Sequence, residues 1–172
     1  ARGSRLILLT AHRRENLGEP MREMFRAIRR IVDETPDIKV IYPMHKNPAV
    51  REMARACFGG QERIHMIEPL DVLDFHNVMA HAYLIMTDSG GIQEEAPALG
   101  KPVLVMRDTT ERPEGVVAGT LKLVGTDENT IYAAVRELLT DPAAYHEMEH
   151  AVNPYGDGHA SRDIADILAR EL

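Results

Sequence analysis

The residue types best suited to bind a ligand are concentrated in a turn made by Ser89, Gly90 and Gly91. An apolar run at residues 83–86 comes just before the turn and predicts a buried strand, and helical periodicity begins at Ile92. Glycines at the first turn of a helix let a ligand come close to the free backbone N–H groups. Together with the helix dipole and the Ser89 hydroxyl, these groups favour an anion, most naturally a diphosphate.

Glu95 lies four residues after Gly91, on the same face of the predicted helix and about one turn further along. A carboxylate in that position can accept hydrogen bonds from both hydroxyls of a ribose whose phosphates rest on the glycines. The alternative is a plain tight turn followed by a solvated surface charge. An arginine-bearing loop after the next predicted strand, at residues 107–112, favours the nucleotide over that alternative.

The elements that must position these residues alternate between strand and helix along the whole chain. This alternation predicts an α/β domain over residues 1–172, with a parallel sheet and helices on both faces. We expect Val72, Phe75, Val78 and Met79 to face the core from one of the helices. The predicted strands are residues 5–10, 39–44, 63–67, 83–86, 103–106 and 121–124. The predicted helices begin at Pro20, Pro48, Val72, Ile92, Glu128, Pro142 and Ser161.

Ligands of such sheets gather at the carboxyl ends of the strands. The residues expected there are unusually basic for an acidic chain: His12 and Arg13 follow the first strand, His45 the second, and Arg107 and Arg112 lie in the loop after the fifth. Each of these residues, considered alone, is typical of a solvated loop. Their coincidence on one edge, beside the glycine turn, favours an anion site.

One motif points to a different chemistry. Residues 146–150 read His-Glu-Met-Glu-His, which matches the H-E-x-x-H helix of zinc proteases, with His146 and His150 as ligands and Glu147 as the base. His159 is the one candidate for a third ligand, and it does not stand at a familiar downstream offset. A five-residue pattern also matches easily by accident, so a zinc hydrolase stays the less favoured alternative.

Composition excludes several classes of protein. A net charge of −7 and a pI near 5.6 argue against a nucleic-acid binder. No apolar run approaches the length of a membrane span, and no signal peptide is visible, so we expect no membrane partner. A single cysteine, Cys57, cannot form an internal disulfide and fits a cytoplasmic location. The chain starts without a methionine, almost directly on a strand, so we expect it to be part of a longer protein.

Four segments together resemble the non-hydrolysing UDP-N-acetylglucosamine 2-epimerases: TAHRREN, DFHN, TDSGGIQEEAPALGKPVLVMRDTTERPE and NPYGDG. The resemblance spans the chain but covers only the second of the family's two Rossmann-like domains, which share the glycosyltransferase B-type architecture. It implies a single UDP-binding domain, with the N-terminal domain absent and a homodimer at full length. It also implies interconversion of UDP-N-acetylglucosamine and UDP-N-acetylmannosamine by UDP elimination and re-addition, without a nicotinamide or a metal, for cell-surface polysaccharide precursors.

The resemblance also implies a role for individual residues. Ser89, Gly90 and Gly91 match the phosphate-binding turn, and Glu95 matches the ribose-binding carboxylate. The other matches are His12 as an active-site residue near the diphosphate, Arg112 in the nucleotide pocket, Phe75 beside the uracil, and Arg13 and His45 at a second, allosteric UDP-N-acetylglucosamine site. The acidic residues for proton transfer belong to the absent domain. A glycosyltransferase nucleotide-binding domain would share this fold and UDP site, and remains the main alternative.

Overall fold

The computed structural model describes residues 3–171 and contains a six-stranded sheet, in which every neighbouring pair of strands is parallel. The strands lie in the spatial order β3-β2-β1-β4-β5-β6. Their bounds are β1 (Arg5–Thr10), β2 (Ile38–Pro43), β3 (Ile64–Ile67), β4 (Leu84–Thr87), β5 (Val103–Val105) and β6 (Leu121–Leu123). The predicted α/β class and Rossmann-like sheet are therefore confirmed.

Helices connect the strands and follow the last one. They are α1 (Glu19–Glu34), α2 (Pro48–Phe58), α3 (Val72–His81), α4 (Gly90–Glu95), α5 (Pro113–Ala118), α6 (Glu128–Thr140), α7 (Pro142–Glu149) and α8 (Ala160–Glu171). Side chains cap helix starts where the sequence predicts. Asn47 accepts a hydrogen bond from the backbone of Ala49, and Asp71 accepts one from the backbone of Asp74. Within residues 3–171, every helix is too short or too polar to cross a lipid bilayer.

Two local predictions were incomplete. The helix expected from Ile92 to Leu99 is α4 followed by a 3-10 turn, Ala96–Leu99, because Pro97 has no N–H to donate to the preceding turn. Helix α5 was not predicted, although Pro113 at its start and Gly119 just after its end are typical helix boundaries. Gly119 has φ 82°, a left-handed conformation that favours glycine.

Side chains pack against both faces of the sheet. Ile7 and Leu9 of β1 belong to the larger core, which α1, α2, α6 and α7 cover, whereas Leu8 belongs to the smaller core beneath α3 and α4. The prediction that Val72 faces the core is wrong, since it is 70% exposed. Met79, two turns later on α3, is fully buried, so α3 packs on the sheet mainly through its C-terminal half.

The strand order creates a crevice at one place in the sheet. From β1 the chain moves outward to β2 and β3, then returns to place β4 on the other side of β1. The loops that follow β1 and β4 therefore leave the sheet edge in opposite directions, and ligands of open α/β sheets bind at such a switch point. These two loops carry His12 and the Ser89 turn.

Candidate functional site

A buried carboxylate, Asp88, ties the two loops of the crevice together. It directly follows β4 and is 0% exposed. Its oxygens accept hydrogen bonds from the backbone N–H of His12 at 3.0 and 3.1 Å and from that of Arg13 at 2.8 Å. The side-chain amide of Asn16 donates a further bond at 3.1 Å. Asp88 is thus fully occupied within the protein, and its role is to fix the loop that presents His12.

Hydroxyl groups hold the ends of β1 and β4. The hydroxyls of Thr10 and Thr87 lie 2.6 Å apart in the interior, and Thr87 Oγ1 accepts a bond from the Ser89 N–H at 2.9 Å. The buried Tyr42 hydroxyl donates to the Ala11 carbonyl at 2.8 Å. Burial, helped by the charge of Asp88, raises the pKa of Tyr42 and so keeps this donor protonated. Both loops consequently start from fixed backbone positions.

The turn that was predicted to bind an anion leads directly into α4, which begins at Gly90. Ser89 occupies the N-cap position, and its side chain makes no capping hydrogen bond. Neither Gly90 nor Gly91 has a positive φ, so their value lies in the missing side chain and not in backbone freedom. A Cβ atom on Gly90 would lie 2.9 Å from Glu111 Oε1 and 3.4 Å from Arg13 Nη2. The Gly90 backbone is therefore directly approached by charged side chains.

Four of the predicted site residues line one open cavity of about 230 Å³: His12, His45, Phe75 and Ser89. The remaining lining is largely apolar and comes from the ends of β1 and β2, the segment before α3, and α4. The imidazole rings of His12 and His45 lie 5.5 Å apart between centroids. The structure thus brings the predicted active-site histidine, the turn and the predicted uracil neighbour to the same cavity.

Glu95 and Arg112 do not line this cavity. The Glu95 carboxylate lies 2.8 Å from His76 Nε2, within hydrogen-bonding distance. One of its oxygens is also close to the turn, 3.5 Å from the position that a Cβ on Gly91 would occupy. Arg112 pairs with Glu94, and this ion pair raises the pKa of the guanidinium. Both predicted ligand-binding side chains are accordingly held by protein partners here.

An ion-pair network lies over the turn. Glu111 accepts from Arg13 Nη2 at 3.3 Å and from Arg107 Nη1 at 2.7 Å. Arg107 in turn lies 3.2 Å from a carboxylate oxygen of Glu15. A backbone N–H bond and the pairing with Arg107 lower the pKa of Glu111, so its carboxylate is anionic at neutral pH. A protein anion therefore lies against the Gly90 backbone, between two cations.

Gln93, which was not among the predicted site residues, joins the turn to the arginine-bearing loop. Gln93 is fully buried in α4; its amide donates to the Ser89 carbonyl at 3.2 Å and its oxygen accepts from the Thr110 hydroxyl at 2.5 Å. Thr110 accepts from the Arg112 N–H at 3.0 Å. The signal in the sequence was a polar residue on the helix between the apolar residues Ile92 and Ala96, because a buried side-chain amide needs hydrogen-bond partners.

The H-E-x-x-H motif forms a cluster of a different composition from the one its sequence suggests. His146, Glu149 and His150 lie together at the end of α7, whereas Glu147, the expected base, is not part of the cluster and lines a groove with Leu121 and Leu138. Within residues 3–171, the third potential ligand beside the two histidines is therefore Glu149 and not His159.

The strand order, the helices on both faces and the crevice at the β1–β4 switch point define a Rossmann-like domain of the glycosyltransferase B type. The C-terminal domain of the Francisella tularensis glycosyltransferase LpcC shares this fold, with a TM-score of 0.69 at 15% identity over 89% of this chain and 83% of that one. The UDP-N-acetylglucosamine 2-epimerase family matches residues 1–169, and the chain belongs to that family. The predicted resemblance is thus confirmed.

Relatives are similar along almost the whole chain. The UDP-N-acetylglucosamine 2-epimerase of Bacillus subtilis is 66% identical over 95% of this chain and 43% of its own length. The S. aureus MnaA–UDP complex is 57% identical, with a TM-score of 0.92 over 96% of this chain and 46% of that one. The Neisseria meningitidis UDP-GlcNAc 2-epimerase bound to UDP-GlcNAc is 45% identical, with a TM-score of 0.91 over 97% and 45%. The chain spans less than half the length of these relatives.

The role of Asp88 can be tested by Asp88→Asn in the 172-residue chain. An amide NH₂ would face N–H donors that now bind a carboxylate, so we expect the free energy of unfolding to fall by about 1.5–3 kcal/mol, as for hydrogen bonds to charged groups. Urea denaturation followed by circular dichroism measures this change. Asp108→Asn, in the exposed loop after β5, is the matched control and should be neutral. Equal stability of the two variants would contradict the role assigned to Asp88.

Proposed function

We propose that this chain is the UDP-binding half of a UDP-N-acetylglucosamine 2-epimerase. The full enzyme interconverts UDP-N-acetylglucosamine and UDP-N-acetylmannosamine by eliminating UDP together with the C2 proton, and then adding UDP back at C1 while C2 is protonated from the opposite face; it supplies precursors of cell-surface polysaccharides. The observation that carries the proposal is the convergence of His12, Ser89 and Phe75 on one cavity at the switch point. Membership of the family, and the UDP and UDP-GlcNAc complexes of relatives, support it.

The diphosphate is proposed to rest on the turn of Ser89, Gly90 and Gly91. The Glu111 carboxylate lies against Gly90 and would repel a phosphate there, so UDP binding requires it to rotate away. Arg13 and Arg107, which now pair with Glu111, would then face the incoming negative charge. The uracil is assigned to the side of the cavity formed by Phe75, and the ribose to Glu95.

His12 is proposed to stabilise the departing diphosphate. Elimination builds negative charge on the leaving oxygen, and donors that are already in place lower the barrier most effectively. The loop of His12 is held by the protein itself, because Asp88 accepts hydrogen bonds from the backbone N–H groups of His12 and Arg13. Arg112 is proposed to add positive charge to the nucleotide pocket after release from Glu94. Arg13 and His45 are proposed to contact a second, allosteric nucleotide sugar.

The other half of the reaction is assigned to a domain outside these residues. The relatives are more than twice as long as the part of them that the chain matches. Helix α8 supports the proposal because Ile164, Ile167 and Leu168, spaced along one face, are each more than half exposed. We propose that the N-terminal domain covers this face. We further propose that the full-length enzyme is a homodimer located in the cytoplasm.

Glu95→Gln in the full-length enzyme tests the ribose assignment. Loss of the charged acceptor should weaken UDP binding by about 1.5–3 kcal/mol, as for hydrogen bonds to a charged group, and should leave folding unchanged because the side chain is exposed. Isothermal titration calorimetry with UDP measures the difference. His76→Ala is the control: it removes the present partner of Glu95 and should leave UDP affinity equal or higher. Unaltered affinity in Glu95→Gln would remove Glu95 from the site.

His12→Ala in the full-length enzyme tests the leaving-group assignment. A group that acts mainly in the transition state should, when removed, lower kcat more than it raises KM. Steady-state kinetics with UDP-N-acetylglucosamine gives both constants. His65→Ala, at an exposed position on the edge strand β3, is the matched control and should behave like the parent enzyme. A normal kcat in His12→Ala would show that His12 has no part in catalysis.

The 172-residue chain alone should bind UDP weakly and epimerise nothing measurable. A base within hydrogen-bond reach of C2 is assigned to the other domain, and general acid–base help is typically worth about 10²–10⁴-fold. An open cleft would also admit water to the intermediate. Proton NMR of the chain with UDP-N-acetylglucosamine should show no UDP-N-acetylmannosamine. Turnover near that of a full-length epimerase would overturn the two-domain proposal, whereas undetectable UDP binding by calorimetry would count against the UDP site itself.

A further inference from the structure

Three potential metal ligands converge at the end of α7, and the proposed epimerase chemistry uses none of them. The imidazoles of His146 and His150 and the carboxylate of Glu149 each offer one ligand atom, and all three atoms lie within 4.8 Å of one another. Glu149 Oε2 lies 2.8 Å from His146 Nδ1 and 3.7 Å from His150 Nε2. The positions i, i+3 and i+4 place all three side chains on one helical face.

The cluster can close around an ion by rotation of its side chains. In a tetrahedral zinc site with bonds near 2.1 Å, neighbouring ligand atoms lie about 3.4 Å apart. Glu149 Oε2 is already near that separation, at 2.8 Å from His146 Nδ1 and 3.7 Å from His150 Nε2, and the three ligand atoms all lie within 4.8 Å of one another. The two imidazoles are 61% and 76% exposed and stack at 5.7 Å with 12° between planes, so both rings are free to rotate until their in-plane nitrogen lone pairs point at one ion. Three protein ligands would leave the fourth position for water.

We propose that His146, Glu149 and His150 bind a divalent transition ion of the Zn²⁺ type. Imidazole nitrogens favour Zn²⁺, Ni²⁺ and Cu²⁺ over the hard cations Mg²⁺ and Ca²⁺, which prefer oxygen ligands. The site differs from the one that the H-E-x-x-H pattern suggests because Glu147, the expected base, lines a separate groove with Leu121 and Leu138.

The ion would connect the last turn of α7 to the residue that ends it. His150 is the C-cap residue, and its backbone N–H already donates to the His146 carbonyl at 3.0 Å. A metal shared by the two side chains stabilises that same turn, from which the chain continues toward α8. Because the ion would bind the folded state alone, it would shift the equilibrium away from the unfolded chain.

Calorimetric titration of the 172-residue chain with ZnCl₂, in a buffer that does not bind metal, tests the site. We expect one Zn²⁺ per chain at this cluster. Replacement of a ligand in His146→Ala or Glu149→Gln should reduce affinity by at least about tenfold, since loss of outer-shell partners alone costs 10–100-fold. Glu147→Gln, on the same helix but outside the cluster, is the matched control and should bind like the parent chain, as should His159→Ala.

Two further measurements separate this site from other histidines and from folding defects. His45→Ala removes the histidine pair of the cavity, and it should leave the α7 site unchanged. Zn²⁺ should raise the Tm of the parent chain and of Glu147→Gln, but not of His146→Ala or Glu149→Gln, whose far-ultraviolet circular dichroism should match the parent. Equal affinity in the parent and both ligand variants, or loss of binding in His45→Ala alone, would overturn the proposal.

Discussion

The structure of the candidate site depends on one buried carboxylate. Asp88 directly follows the central strand β4 and is fully buried. Its oxygens accept hydrogen bonds from two backbone N–H groups and one side-chain amide of the loop after β1. A charge without partners at this depth would be strongly unfavourable, and so would the loop N–H groups without an acceptor. Each side of the crevice therefore satisfies the other, and His12 is positioned as a consequence.

The parallel sheet makes this interaction possible. β1 and β4 are neighbours in the centre of the sheet, so their carboxyl ends are only one strand spacing apart, although 77 residues separate Thr10 from Thr87. The same geometry explains why the glycine turn is crowded by charged groups. The loops after β1 and β5 reach it from either side and meet in the Arg13–Glu111 pair. Glu111 thereby keeps a protein anion against the Gly90 backbone.

The sequence predicted what depends on local pattern. Alternating apolar runs and helical stripes, with caps at Asn47 and Asp71, were sufficient for the sheet and most helices. The carboxyl-edge rule correctly brought His12, His45 and Ser89 together. Strand order and the partners of Asp88 and Gln93 could not be predicted, because contacts between distant segments decide them. The error at Val72 has the same origin: periodicity gives the inner face of a helix but not the length over which a sheet covers it.

The arrangement also bears on what this domain would contribute to the proposed reaction. Its fixed parts, the His12 loop and the Ser89 turn, are suited to an anion such as a diphosphate. Its adjustable parts are two ion pairs near the surface, the exposed pair of Glu95 with His76 and the half-buried pair of Arg112 with Glu94. Pairs at the surface contribute only about 0–1 kcal/mol, so they cost little to exchange for other contacts. Under the proposed function, binding energy would be concentrated on the nucleotide, away from the sugar carbon where a proton must move. A second domain that holds the sugar would then control the chemistry while this one retains UDP through both steps.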